Sequence, residues 1–509
     1  MRLANSNTPL QPNIASVDSK GRSQAGSVSD RKSWVFAAAL ATIFMAAIEA
    51  TIVAAAMPSI VAVLGGLDHF SWVFSAYLLI QAVSIPIYGR LADVYGRKQI
   101  LLFGIGVFLL GSILAGFAWD MISLIAFRIL QGAGAGALVP VAQTIVGDLY
   151  SGEHRARMQG YVSSIFGSAA LLGPTIGSIL VAYASWRLVF WINIPLGILA
   201  GLMLILALKE PKQIKPHSID YIGSVLMMLG TATLMFTLVQ APSLDGSTIA
   251  ALIAVSALLL SALFFYERRI QEPMLPLKIY RNRIIAGGNV VCLANGAMMM
   301  SIAAFLPAYM QGVLRSGPFL AGIALAAMSF AWPIGGFVGS RLMLWFSYRI
   351  AAVIGGVMLI AGSLMMIALK PSLGPAWPIG GAMFLGFGMG VTNICFVVAV
   401  QGAVDRSQRG SATSSLAFSR IIGQSLGAAV FGGILNFGLS GHGTDVVVRM
   451  IQPRLRHDVD PAAIETVREA FAASMHNVYL IAALLALAVF AAVQFLPSGL
   501  KLIEQDRSR

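Results

Sequence analysis

The chain has 509 residues, of which 58% are hydrophobic and 11% charged, a composition that a water-soluble domain could not carry without exposing large apolar patches. It therefore belongs in a bilayer, and its formal net charge of +13 is accounted for by orientation against an anionic leaflet, without a nucleic-acid partner. Its two cysteines, Cys292 and Cys395, both fall in apolar runs and can build neither a disulfide framework nor a cysteine metal site.

Residues 1–33 are polar and serine-rich with no apolar core, and they read as a disordered cytoplasmic tail in place of a cleaved signal. Apolar runs long enough to cross a hydrocarbon core of roughly 30 Å then recur along the chain. They predict helices over about 34–63, 71–90, 99–118, 121–147, 157–183, 187–208, 219–241, 248–266, 284–312, 317–341, 349–369, 376–402, 411–439 and 472–497, fourteen spans in all. With the N-terminus inside, 25 of the 34 Lys and Arg residues fall on the cytoplasmic side and 7 outside, while Arg128 and Arg420 lie within spans. An odd span count would scramble that asymmetry, so both termini are expected to be cytoplasmic, in a multi-pass inner (cell) membrane protein.

The basic, proline-bearing connections near 209–218 and 267–283 bracket a helix pair. The fold class that follows is an all-α membrane protein: a six-helix bundle over 34–208, a linker with two inserted transmembrane helices over 209–283, a second six-helix bundle over 284–497, and a cytoplasmic tail over 498–509. Within the second bundle, residues 440–471 read as an external loop. A short helix is expected there, capped by Asp460 with Pro461 as its first residue.

Three charges stand within apolar spans, where an unpaired one costs at least about 2.5 kcal/mol. Glu49 lies near the middle of the first span, and burial there favours the protonated form, which makes it a candidate proton carrier; the alternative is a structural ion pair that never titrates. Arg128 shares a helix face with Gln131 and cannot lose its proton. Its expected role is to hold a carboxylate, Glu49 being the candidate, to bind an anionic substrate, or to bond backbone carbonyls. Arg420, in SLAFSRIIGQSLG, has only generic neighbours and reads as structural.

In the fifth span, Gly167, Gly173, Pro174 and Gly177 combine close-approach positions with a missing helix hydrogen bond, which suits a bend between moving halves as well as tight packing. Met298, Met299, Met300, Phe305, Tyr309 and Met310 cluster in the ninth span. Flexible thioethers and aromatics suit a cavity for varied apolar ligands, so Met298, Phe305 and Tyr309, with Gln131, are candidate cavity residues, packing being the alternative. The Walker A pattern GxxxxGK[ST] is absent, so the chain is not itself an ATP-driven pump of that kind. No nucleophile, metal or paired-acid constellation points to an enzyme, and neither a cofactor nor a metal is expected.

Gly89, Leu91, Asp93, Gly96, Arg97 and Lys98 in GRLADVYGRK, FRILQGAGAG with Arg128, Gln131 and Gly132, GPTIGS in the fifth span, and WRLVFWINIPLG together resemble the major facilitator superfamily. The likeness is to its fourteen-span drug:proton antiporter branch and covers nearly the whole chain. It implies alternating access around a midplane cavity and export of apolar, often cationic compounds in exchange for protons, with membrane lipids as surroundings; an accessory efflux subunit stays open. It also implies that Asp93, Arg97 and Lys98, with Gly89 and Gly96, form a cytoplasmic latch joining the bundles in one state. The chain departs from the family pattern in carrying Glu49 where Asp is usual, Ala54 where Asn is usual, Ser178 where the antiporter motif ends in Gly, and Met343 where the second half would have Asp. Two other readings remain: a dedicated exporter of an endogenous siderophore, lipid or metabolite, and a lipid-binding or sensing membrane protein that does not cycle.

Overall fold

Apolar segments in lipid must satisfy their backbone groups internally, and the computed structural model is helical with no strand among its described residues, which are 18–64, 70–210, 220–240, 244–270, 277–316, 318–439 and 461–498. Helices α1 (Asp18–Leu64), α2 (Phe70–Tyr95), α3 (Arg97–Gly116), α4 (Met121–Leu149), α5 (Gly152–Tyr183), α6 (Leu188–Trp191) and α7 (Asn193–Ala207) pack mainly on one another. So do α10 (Arg283–Met300), α11 (Leu306–Gly312), α12 (Pro318–Trp345), α13 (Tyr348–Ile367), α14 (Ala376–Ala403), α15 (Arg409–Leu439) and α16 (Pro461–Val493). The two groups meet where α2 and α4 face α15, and where α5 faces α12 and α14.

Between them in sequence come α8 (Tyr221–Gln240) and α9 (Gly246–Glu267), packed on each other. Asp220 starts α8 by accepting the Gly223 amide at 2.7 Å, and Asp245 starts α9 by accepting the Thr248 amide at 3.1 Å. α8 rests on α2 and α15, with the rings of Trp72 and Phe236 6.0 Å apart, so the inserted pair lies along a seam between the two groups.

Twelve described helical stretches are long and apolar enough to cross a membrane. α8 adds only the shorter apolar stretch Ile222–Leu238, and α5 is not among the twelve. Its first turns carry Glu153, His154, Arg155 and Arg157, and its middle is rich in Ser and Gly. A helix packed between α1 and α12 faces protein more than lipid, so it can be less apolar than its neighbours.

Several boundaries differ from the sequence expectation. Residues 18–33, expected to be disordered, continue α1 toward the N-terminus, because loss of apolarity does not by itself end a helix. The expected external helix at 461–471 is not separate but is the start of α16: Val467, Phe471 and Met475, four residues apart, are buried on one stripe in the core of the second group. Asp460, its proposed cap, lies outside the described residues. The ninth span is interrupted by a π-helical turn, Ser301–Phe305, just before Pro307, whose missing N–H breaks the regular ladder.

Candidate functional site

Five helices converge on Glu49, which is 0% exposed, and on Arg128, which is 1% exposed. Arg128 Nη1 donates to Glu49 Oε1 and, at 2.7 Å, to Gln131 Oε1, while Nε donates to the Val73 carbonyl at 3.2 Å. The second carboxylate oxygen accepts from Asn193 Nδ2 at 2.6 Å. Ser112 Oγ then ties the amides together, accepting from Gln131 at 2.6 Å and from Asn193 at 3.1 Å. The guanidinium lies 4.0 Å above the ring of Tyr77. A buried charge pair is tolerable only when paired and hydrogen-bonded, and here both carboxylate oxygens are engaged.

The glycines of α5 hold α1 close beside this network. Thr51, two residues from Glu49, donates to the Ala169 carbonyl at 3.2 Å, and an added Cβ on Gly173 would collide with the Thr51 hydroxyl. Gly167 faces Pro333 of α12, so the same helix touches both groups. Gly177 is buried within α5, and the helix runs unbroken through position 174.

Tyr77 also lines a cavity of about 310 Å³ between the two groups. The first group contributes Thr51, Tyr77 and Phe166 among others, and the second contributes Met299, Met328 and Trp332. Amides of Gln81, Gln143, Gln159, Asn393 and Gln424 contribute to its polar surface, with Thr51, Ser163 and Ser329 also in the lining. Among the described residues, no carboxylate lines it and Arg420 is its only charged side chain. Tyr77 thus belongs to both places, as a wall of the cavity and as the plate beneath Arg128.

At the end of the molecule marked by the α2–α3 turn, Asp93 takes the N-terminus of α15. It accepts the amides of Gly410 at 2.9 Å and Ser411 at 2.8 Å, and the Ser411 hydroxyl at 2.8 Å. A Cβ on Gly410 would stand 2.6 Å from Asp93 Oδ1 and from the Gly89 carbonyl oxygen, so this approach requires glycine. Arg97 pairs with Asp93 and Asp148, each at 3.2 Å, and donates to the Arg406 carbonyl. Arg409 reaches back from α15 to Asp148 at 2.9 Å, and Gln159 donates to Gln401 at 3.2 Å. Gly96 has φ of +99°, which favours glycine at the turn.

Not every expected residue lies where the sequence pattern put it. Lys98 does not join the two groups: its ammonium donates to the Ile205 and Leu208 carbonyls at 2.8 and 2.7 Å, closing the end of α7, while Glu210 accepts the Arg97 and Lys98 amides. None of the four cavity candidates lines the cavity. Gln131 belongs to the Glu49 network, Met298 and Tyr309 are buried in the apolar core of the second group, and Phe305 packs against that core. One residue advances a helix by about 100°, and it is Met299, not Met298, that faces the cavity. Arg420, expected to be structural, lines it. The expected preference for cationic compounds finds no counter-charge there among the described residues.

The sequence reading did not single out Ser112, Tyr77 or Asp148, and it took Asn193 only as part of the WRLVFWINIPLG motif, without a role at Glu49. Asn193 supplies an amide donor to Glu49, and its signal was a polar residue inside the WRLVFWINIPLG run. Asp148 was legible only as an acid at the end of an apolar span.

Comparison with known proteins agrees with this architecture. A family model described as Major Facilitator Superfamily matches residues 39–428. Multidrug resistance protein 3 of Bacillus subtilis (strain 168) is 35% identical over 397 residues, covering 77% of each chain. Multidrug transporter protein MdtP of the same organism is 31% identical over 396 residues, covering 77% of this chain and 73% of its own. Among solved structures, the transporter FucP in its outward conformation covers 90% of this chain and 98% of its own, with a TM-score of 0.58 and 15% identity, a likeness of fold alone. This multi-pass membrane protein belongs to the Major Facilitator Superfamily.

Proposed function

We propose that the protein is a proton-coupled antiporter that exports apolar small molecules by alternating access. Membership of its superfamily makes it a transporter and not an enzyme. The names of its Bacillus relatives support drug-like cargo. In this reading α5 and α8 also cross the bilayer, the α2–α3 turn faces the cytoplasm of a cell membrane, and both termini lie on that side.

The observation that carries the proposal is a buried carboxylate whose ion-pair partner, Arg128, packs on Tyr77, a residue that also lines the cavity between the two groups. While Glu49 is ionised it neutralises Arg128. When it takes a proton, Arg128 loses its counter-ion, and the guanidinium and Tyr77 rearrange together, changing the cavity wall. Cargo binding favours the ionised pair, so cargo and proton exclude one another. Asp93, Arg97 and Asp148 hold the cytoplasmic ends together around α15 in the conformation described, and release of that contact opens the cavity inward. Influx of one proton down 100 mV supplies about 2.3 kcal/mol, enough to concentrate a neutral cargo roughly fiftyfold.

The test is efflux of an apolar dye from energised vesicles. An uncoupler abolishes it, and Glu49→Gln abolishes proton-driven efflux while retaining dye binding. Normal proton-driven efflux from Glu49→Gln overturns the assignment.

A further inference from the structure

Of the three charges within the apolar helices, Glu49 and Arg128 neutralise each other, whereas Arg420 has no ion pair, hydrogen bond or ring contact among the described residues. A guanidinium cannot escape this situation by deprotonating. Nor can it leave the interior, since its backbone is locked: the Arg420 carbonyl lies against Gly296 of α10 so closely that a Cβ there would collide, and Gly423 and Gly427 make the same kind of contact with Leu293 and Ala297. α15 is thus fixed with Arg420 facing the cavity.

One turn further on, Gln424 lines the same wall. Its amide has only a weak acceptor, the Met299 sulfur at 3.4 Å. A fixed cation and an amide donor therefore face a chamber without a single carboxylate among the described residues, opposite the apolar surfaces of Phe166 and Trp332. A planar guanidinium binds carboxylate or sulfonate through two parallel hydrogen bonds, and beside the apolar walls of this cavity that contact is stronger than in open water. A cationic guest would instead meet an uncompensated like charge.

We propose that Arg420 anchors the acidic headgroup of an amphiphilic monoanion, a carboxylate or sulfonate, whose apolar body lies against Trp332 and Phe166. The inference rests on the reading of this cavity as the cargo site and names the class of cargo. It assigns Gln424 as a second donor to the same headgroup.

The experiment measures equilibrium binding to the full-length protein in phosphatidylcholine nanodiscs, corrected with empty discs. Three probes share one pyrene body: pyrenebutyrate, its methyl ester, and the corresponding alkylammonium. The carboxylate is expected to bind at least about tenfold more tightly than the ester, with the ammonium weakest. Arg420→Gln brings carboxylate and ester within about twofold of each other while leaving ester affinity unchanged, and Arg420→Lys, which keeps the charge but loses the planar fork, retains an intermediate preference. Equal or tighter binding of the ammonium by the unaltered protein overturns the proposal, and does so even if Arg420→Gln fails to fold. An undiminished carboxylate preference in Arg420→Gln also overturns it. Displacement of pyrenebutyrate by phosphatidylglycerol in the disc would assign the anchor to a lipid headgroup and overturn the cargo reading. Binding needs no gradient, so a selective binder that fails to export with protons defeats the antiport reading alone. A binder indifferent to headgroup charge that still exports with protons defeats this inference alone.

Discussion

The two helical groups are built alike but charged differently. In the first, an ion pair, two amides and a hydroxyl form one closed network around Glu49. In the second, the buried polar contacts are neutral: Asn295 donates to Thr392 at 3.2 Å, and Asn289 engages Ser415 and Ser419. The seams at the α2–α3 turn end repeat the contrast. Asp93 and Asp148 bind the start of α15, whereas at the α12–α5 seam Met343 lies in an apolar cluster with Ala156 near the start of α5. Titratable chemistry is therefore concentrated in one half, and the other supplies a packed wall bearing a single cation at the cavity.

Removing one member of a buried ion pair should break this comparison most severely. Arg128→Ala strands the Glu49 carboxylate and should cost about 3–5 kcal/mol, against about 1 kcal/mol for Thr392→Val in the neutral half. Thermal inactivation in detergent measures both, and equal losses would erase the distinction. Next comes the seam pair. Asp93→Asn keeps the shape but loses charge-assisted bonds to two amides, and should weaken closure by about 1.5–3 kcal/mol. Met343→Leu should stay below about 1.5 kcal/mol. Efflux rate and labelling of the turn end by a water-soluble reagent read both, and a larger effect from Met343→Leu would reverse the assignment.

Within the charged half, Asn193→Ala removes one donor to Glu49 and should cost about 1–3 kcal/mol, less than Arg128→Ala because the ion pair survives. A loss equal to that of Arg128→Ala would mean that the amide, and not the pair, holds the network. The smallest effect lies outside the bilayer. The Ser123 amide and hydroxyl keep the Asp120 carboxyl below its usual range at the start of α4. Its contribution is present above the ordinary carboxylate range and is lost as pH falls through the lowered value. Asp120→Ala should lower resistance to thermal inactivation slightly at neutral pH, and the difference from the unaltered protein should vanish in acid.

The helices were legible because apolar runs can do little else in lipid, and Glu49 with Arg128 because a charge in a span needs a partner. Orientation about each helix was not legible. Met298 and Met299 are adjacent and chemically alike, yet one packs in a core and the other faces the cavity, since only the packing of α10 against α14, α15 and α16 fixes which side is which. Lys98 shows the same limit, because a basic residue beside a latch motif can as readily close the end of α7. The extents of α1 and α16 exceeded their apolar runs, as helix propensity continues where hydrophobicity stops.

If cargo and proton compete through Glu49, adding an apolar, non-titrating cargo to the detergent-solubilised protein should expel a proton, which a pH-indicator dye can count. The account predicts proton release from the unaltered protein equal to the fraction of Glu49 that is protonated before cargo is added, at most one per molecule, and none from Glu49→Gln. Equal proton release from both proteins would contradict it.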